Sequence, residues 1–202
     1  MRIFIYAQGR SGGNTIQKAL AEILNLRPCW IKEFDNAIID PVAFEEALKE
    51  DNIIIKLHLW QCVGNFDNQI DFLKYVYTKF DKVLYHGRGN SFDTGLSLHN
   101  GMNRPKEHWT SNKYTPTIKR PDLNYVRNAS MFLSQLILLS KTFDSDVTFY
   151  EEIFSGDKEL TINTIKRWGI DSNLLSSLIF SLLSKFISLN EKLHSSSITF
   201  IV

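Results

Sequence analysis

The chain has 202 residues, enough for one domain with a sizeable core, and its 44% hydrophobic and 12% aromatic content is that of a folded protein. A formal net charge of +1 excludes a generally basic surface, so nucleic-acid binding has no global support and any anion site must be made locally. Two cysteines, Cys29 and Cys62, lack CxxC spacing and a surrounding histidine cluster. They argue against a zinc site or a disulfide framework and read as buried free thiols in a reducing compartment. The initiator runs straight into an apolar stretch with no signal peptide, so the cytoplasm is the expected location.

In chain order, an apolar run from Arg2 to Ala7 predicts a strand that stops at a loop carrying Gly9, Gly12 and Gly13. A helix follows, with Ile16, Ala19, Leu20, Ile23 and Leu24 on one face. A short strand is expected around Cys29-Trp30-Ile31. Asp40-Pro41 reads as an N-cap and a first-turn proline opening a helix to about Lys49. The run 52–59 begins with continuous apolar residues, as buried parallel strands do, and becomes polar only at its end. A helix over 68–80 places Ile70, Leu73, Tyr77 and Phe80 on one face. A strand at 82–86 then runs into Gly87-Arg88-Gly89-Asn90-Ser91, and a helix starting near Ser91 carries Asp93 and Ser97.

Residues 101–123, with prolines 105, 116 and 121, break the regularity and read as a long functional loop. A long helix over 124–143, a strand over 146–152 ending in acids, and a helix over 160–168 stopping at Gly169 come next. The stretch 172–193 is a helix with a leucine-rich side and a serine-rich side. Its serines and Lys185 argue against a membrane span, so its stripe faces a core or a second copy of the chain. Residues 198–202 suit an edge strand or a loose end. Strands alternating with helices, without repeats or linkers, define one α/β domain over 1–202 with a mostly parallel sheet flanked by helices.

Strand, glycine-rich turn and helix form an arrangement that can hold a phosphate. Glycines admit the anion, N–H groups point into the turn, and the helix dipole adds positive potential. Arg10 adds a full charge, and Ser11, Asn14 and Thr15 can donate hydrogen bonds. The Walker A spacing is not met: with its second glycine on Gly13, Gln8 takes the first glycine position and Asn14 the lysine. By itself this stretch supports a phosphate cradle and a structural turn equally. Two further polar groups fall at expected strand ends: Lys56-Leu57-His58, and Arg88 followed by Ser97. Strand ends of one parallel sheet converge on one crevice, so these groups are expected to share a ligand.

In this order the motifs resemble the sulfotransferases that use 3'-phosphoadenylyl sulfate (PAPS), over roughly residues 1–170. Residues 9–15 are similar to that family's loop for the 5'-phosphosulfate, commonly Lys/Arg-Ser-Gly-Thr-Thr, with Gly13 and Asn14 where threonines are usual. Ile55-Lys56-Leu57-His58-Leu59 resembles the segment carrying the catalytic histidine. Arg88 to Ser97 is similar to the 3'-phosphate segment, one residue longer than usual, with Ser91 as the alternative serine. Phe149-Tyr150-Glu151-Glu152 looks like a strand-end Tyr-Glu-Asp/Glu.

The resemblance implies a three-layer P-loop-like fold. It also implies in-line sulfuryl transfer from PAPS to a hydroxyl or amine, leaving 3',5'-ADP (PAP) and needing no metal. His58 would be the general base and Lys56 the charge-compensating partner. Arg10, Ser11, Gly12, Gly13, Asn14, Thr15, Arg88, Ser97 and Tyr150 would hold the nucleotide. The acceptor would be a small molecule or a glycan beneath loop 101–123, with Arg104, His108, Trp109 and Tyr114. The family's C-terminal Arg-Lys-Gly nucleotide segment is missing. Three alternatives stay open: a P-loop kinase of a nucleoside or small metabolite, a nucleotide-binding homologue without activity, and sulfotransfer with a carboxylate base such as Glu33 or Asp35. His86, His99, Glu151 and Glu152 read as structural, and Asp93 as orienting a neighbour.

Overall fold

A computed structural model describes residues 1–29, 31, 38–103, 118 and 120–170. Its centre is β1 (Arg2–Ala7), which pairs on one side with β4 (Ile53–His58) and on the other with β6 (Lys82–Gly87), both parallel. β2 (Arg27–Cys29) extends the sheet beyond β4 and β7 (Val147–Phe149) extends it beyond β6. The order is β2-β4-β1-β6-β7, and every pairing is parallel. A separate pair joins β3 (Ile38–Ile39) to β5 (Cys62–Val63).

The period-two alternation of β1 explains the layers. Ile3, Ile5 and Ala7 face a core with Ile16 and Leu20 of α1 (Gly13–Ile23) and Ile165 of α7 (Lys158–Lys166). Phe4 and Tyr6 face the opposite core. There they meet Phe44 of α2 (Pro41–Ala47), Phe72 of α3 (Gln69–Lys79) and Leu136 of α5 (Leu123–Thr142). Phe72 anchors that layer, edge-on to Phe4 at 5.8 Å and to Phe44 at 5.7 Å between ring centroids. Helices cover both faces of one parallel sheet, which makes a three-layer α/β domain.

Local signals behave as their chemistry requires. Asp40 accepts hydrogen bonds from Val42 N–H (2.9 Å) and Ala43 N–H (3.3 Å) ahead of Pro41. Asn68 caps α3 and Asn90 caps α4 (Ser91–Met102) through their side chains. Three expectations fail, the first being burial of Cys29 and Cys62, which are only half-buried. Ile70 is 43% exposed, because the buried stripe of α3 runs through Phe72, Leu73 and Val76 instead. The strand expected over 146–152 ends at Phe149, and Tyr150–Ile153 forms the short helix α6. Glu152 causes the switch by accepting from Phe149 N–H at 2.7 Å, closing a capping turn.

The expected helix over 172–193 with its second-copy contact, the segment 198–202, most of the loop 101–123, and Glu33 and Asp35 lie outside the described residues. Among the described residues, no helix is long and apolar enough to cross a membrane.

Candidate active site

The chain leaves β1 in one direction toward β4 and returns on the other side as β6, so the C-terminal end of β1 is the switch point of the sheet. The Gln8–Gly12 loop sits there and leads into α1. Gly12 has φ +81°, a left-handed turn that a side chain resists, and a Cβ on it would lie 3.1 Å from the rings of Tyr150 and Phe154. A Cβ on Gly13 would lie 3.1 Å from Ala7 Cβ and 3.3 Å from Lys56 Cδ, while Gly9 lies flat under the Trp60 indole. These glycines make a shallow concavity in front of the N-terminus of α1, whose first N–H groups lack helical partners.

The loop is braced from beneath. Gln8 N–H donates to His86 O (2.9 Å), Ser11 Oγ donates to Gln8 O (2.7 Å), and His86 Nε2 donates to Ser11 O. Burial pushes His86 down to about 4, so the ring is neutral at ordinary pH. The Ser11 hydroxyl is therefore spent on closing the loop. Gln8 ties the cradle outward: its Nε2 donates to Ala129 O on α5 (2.8 Å), and its Oε1 accepts from Arg88 N–H (2.8 Å).

Lys56 and His58 share one face of β4, as period two requires, and Lys56 Nζ lies 3.0 Å from His58 Nε2. The ammonium donates to that nitrogen, so the ring proton sits on Nδ1. His58 stacks on Trp60 with 4.5 Å between centroids and a 10° interplanar angle, and Gln61 Oε1 accepts from its backbone N–H at 2.7 Å. Burial, followed by the Lys56 and Arg10 charges, pushes His58 down to about 3. It is a neutral imidazole whose basic nitrogen is held by the Lys56 ammonium.

Arg10 takes a left-handed conformation (φ 65°), and its Nε donates to Ser97 Oγ across the cleft at 3.0 Å. Arg88 follows β6. Its guanidinium lies 4.7 Å from the Tyr150 ring centroid, with Asp93 Oδ2 at 3.3 Å and Glu151 Oε1 at 3.7 Å. The buried Arg88 Nε has no hydrogen-bond partner.

One cavity of about 620 Å³ collects these groups. Arg10, Gly12, Gly13, Asn14 and Thr15 line its cradle end. Lys56, His58, Arg88, Ser97 and Tyr150 line the rest, with Trp60, Met102 and Phe154 as apolar surface. Ser11, with its hydroxyl turned into the loop, and Ser91 are not among the lining residues. His99 stays outside it, accepting at Nδ1 from Asp122 N–H at 3.1 Å. Among the described residues, no group of three or more His, Cys, Asp or Glu side chains is placed to hold a metal ion.

Sequence reasoning missed Trp60, Gln8 and Glu151. Trp60 had a signal, lying two residues beyond His58. Gln8 and Glu151 act through contacts more than sixty residues away in sequence and had none.

The residues thus define a three-layer α/β domain with a glycine cradle at the switch point and a Lys-His pair beside it. No family model matches the chain, and no curated protein matches it. Similar solved structures include the shikimate kinase from Aquifex aeolicus, at 14% identity over 83% of this chain and 95% of that one, TM-score 0.45. The shikimate kinase from Bacteroides thetaiotaomicron is similar at 12% identity over 83% and 95%, TM-score 0.46. The mouse sulfotransferase SULT7A1 complexed with PAP is similar at 19% identity over 90% of this chain and 63% of that one, TM-score 0.49.

Proposed function

We propose that the chain is a sulfotransferase that moves a sulfuryl group from PAPS to a hydroxyl or amine of a small molecule or glycan. One observation carries this reading: Arg10 of the loop after β1, Lys56 and His58 of β4, and Arg88 of the turn after β6 line a single cavity. In a nucleotide holding both a 5'-phosphosulfate and a 3'-phosphate, the first fits the cradle and Arg10, and the second reaches toward Arg88. The buried Arg88 Nε, which makes no hydrogen bond, and the side-chain-free surface of Gly12 and Gly13 suit such a ligand.

The donor supplies the activated sulfuryl group, and no metal is needed for it. Charge spreads over the transferring oxygens, and Lys56 and Arg10 offset it. As Lys56 turns to that charge it frees Nε2 of His58, which accepts the proton of the acceptor hydroxyl while the acceptor oxygen bonds to sulfur. The bond from sulfur to the phosphate oxygen breaks, and its electron pair leaves with PAP. Trp60 holds the imidazole plane by stacking.

A kinase reading draws on one feature, the Lys56 side chain packed against Gly13, since a lysine at a phosphate cradle also serves phosphoryl transfer. Thermal shift separates the two. At about a hundredfold excess over its dissociation constant, a ligand adds about 2.7 kcal/mol, or about 5–10 °C for a chain of this size. 3',5'-ADP without metal is expected to give that shift, and ATP with Mg²⁺ a smaller one. The reverse order refutes sulfuryl transfer from PAPS.

A further inference from the structure

Arg88, at one end of the cavity, already lies against a carboxylate of the chain itself. Glu151 projects from α6, and both of its oxygens are engaged: Oε2 accepts from Gly89 N–H at 2.9 Å and Oε1 from Asn90 N–H at 3.1 Å. Two successive backbone N–H groups ahead of a helix form a concavity suited to an anion, and here the anion is built in. The Arg88 guanidinium lies against the same carboxylate, with Nε 3.7 Å from Oε1, and Asp93 Oδ2 stands 3.3 Å from its Nη2. One positive charge therefore faces two negative ones.

A phosphate arriving at Arg88 would look for both the guanidinium fork and the neighbouring N–H groups. It finds the N–H groups taken and a like charge beside them. An uncharged hydroxyl at the same point meets no such opposition. Since Gly89 and Asn90 lead into α4, which carries Ser97, the contact that holds the turn also sets how anions are received.

Resting on the sulfotransferase reading above, we infer that Glu151 is a specificity-determining residue. Its carboxylate competes with the nucleotide's 3'-phosphate for Arg88 and the Gly89–Asn90 N–H groups, and so keeps the preference for a 3'-phosphorylated nucleotide small. Affinity for product is thereby held down.

Calorimetric titration of the full chain with 3',5'-ADP and with 5'-ADP tests this in wild type and Glu151→Gln. Glutamine keeps an acceptor oxygen for the turn and removes the charge. The expected result is about tenfold tighter binding of 3',5'-ADP in the variant, with 5'-ADP changed less than about twofold. A brace without electrostatic competition would shift both ligands alike or weaken 3',5'-ADP, and either result overturns the inference alone. If 3',5'-ADP binds neither protein, the sulfotransferase reading falls and the inference with it. If Glu151→Gln does not fold, Glu151→Ala removes the same carboxylate and leaves the Gly89 and Asn90 N–H groups open. Tightening for 3',5'-ADP alone then supports the competition, and no tightening overturns it.

Discussion

His58 and Lys56 depend on each other. An ammonium 3.0 Å from Nε2 opposes a second positive charge on the ring, and burial opposes it further. Replacing Lys56 with methionine keeps length and apolar packing but removes the charge. In Lys56→Met the His58 titration is expected to move up from about 3 toward the ordinary value of 6.5, part of the way, because burial remains. Ring-proton NMR across pH 3–7 reads this directly, and an unmoved titration would show that the two side chains are not in contact. The pairing was legible in the sequence because period two puts residues 56 and 58 on one strand face. The low basicity of His58 was not, since the sequence motif named it only as a general base. Its cause is burial beneath Trp60 and beside Arg10, both set by turns whose shape no local pattern encodes.

At the scale of elements, α4 and α5 meet through a glycine. A Cβ on Gly95 would stand 2.9 Å from the backbone N and Cα of Val126, atoms that cannot rotate aside. In an isolated helix Gly→Ala gains about 1 kcal/mol. Here overpacking against backbone costs typically about 1–3 kcal/mol, so the second effect wins. Gly95→Ala is expected to lower stability in urea titration and to push α4, with Ser97, away from Arg10. A stabilised variant would mean that the helices are not in register here.

Most elements were readable because their ends carry chemistry. Asp40-Pro41, Asn68 and Asn90 all begin helices where their side chains accept backbone N–H groups. The 150–153 helix was missed because Phe149-Tyr150 has strand propensity, and the Glu152 cap that ends the strand is a three-residue signal inside an apolar run. Arg88 and Glu151 were both visible as residues. Their contact joins α6 to the turn after β6 and required the tertiary structure.

On the scale of the whole molecule, two neutral histidines are built into the end of the sheet that bears the cavity. His86 lies beneath the cradle and His58 beside it, with folded values near 4 and 3. Unfolded, each titrates near 6.5, so between the folded and unfolded values the unfolded chain binds more protons. Stability therefore rises with pH across that window and levels off above about 6.5. Each histidine contributes a slope of at most about 1.4 kcal/mol per pH unit, and His58, being partly solvated, contributes less. Denaturant unfolding at intervals from pH 4.5 to 7.5 measures this, in a range above the usual carboxylate titrations. The wild type is expected to lose stability steadily below pH 6.5, and His86→Gln, whose amide can still donate to Ser11 O, to lose it with less than half the slope. A flat profile from pH 6.5 to 4.5 would mean that neither imidazole is held neutral. The brace beneath the glycine cradle would then not be an uncharged donor.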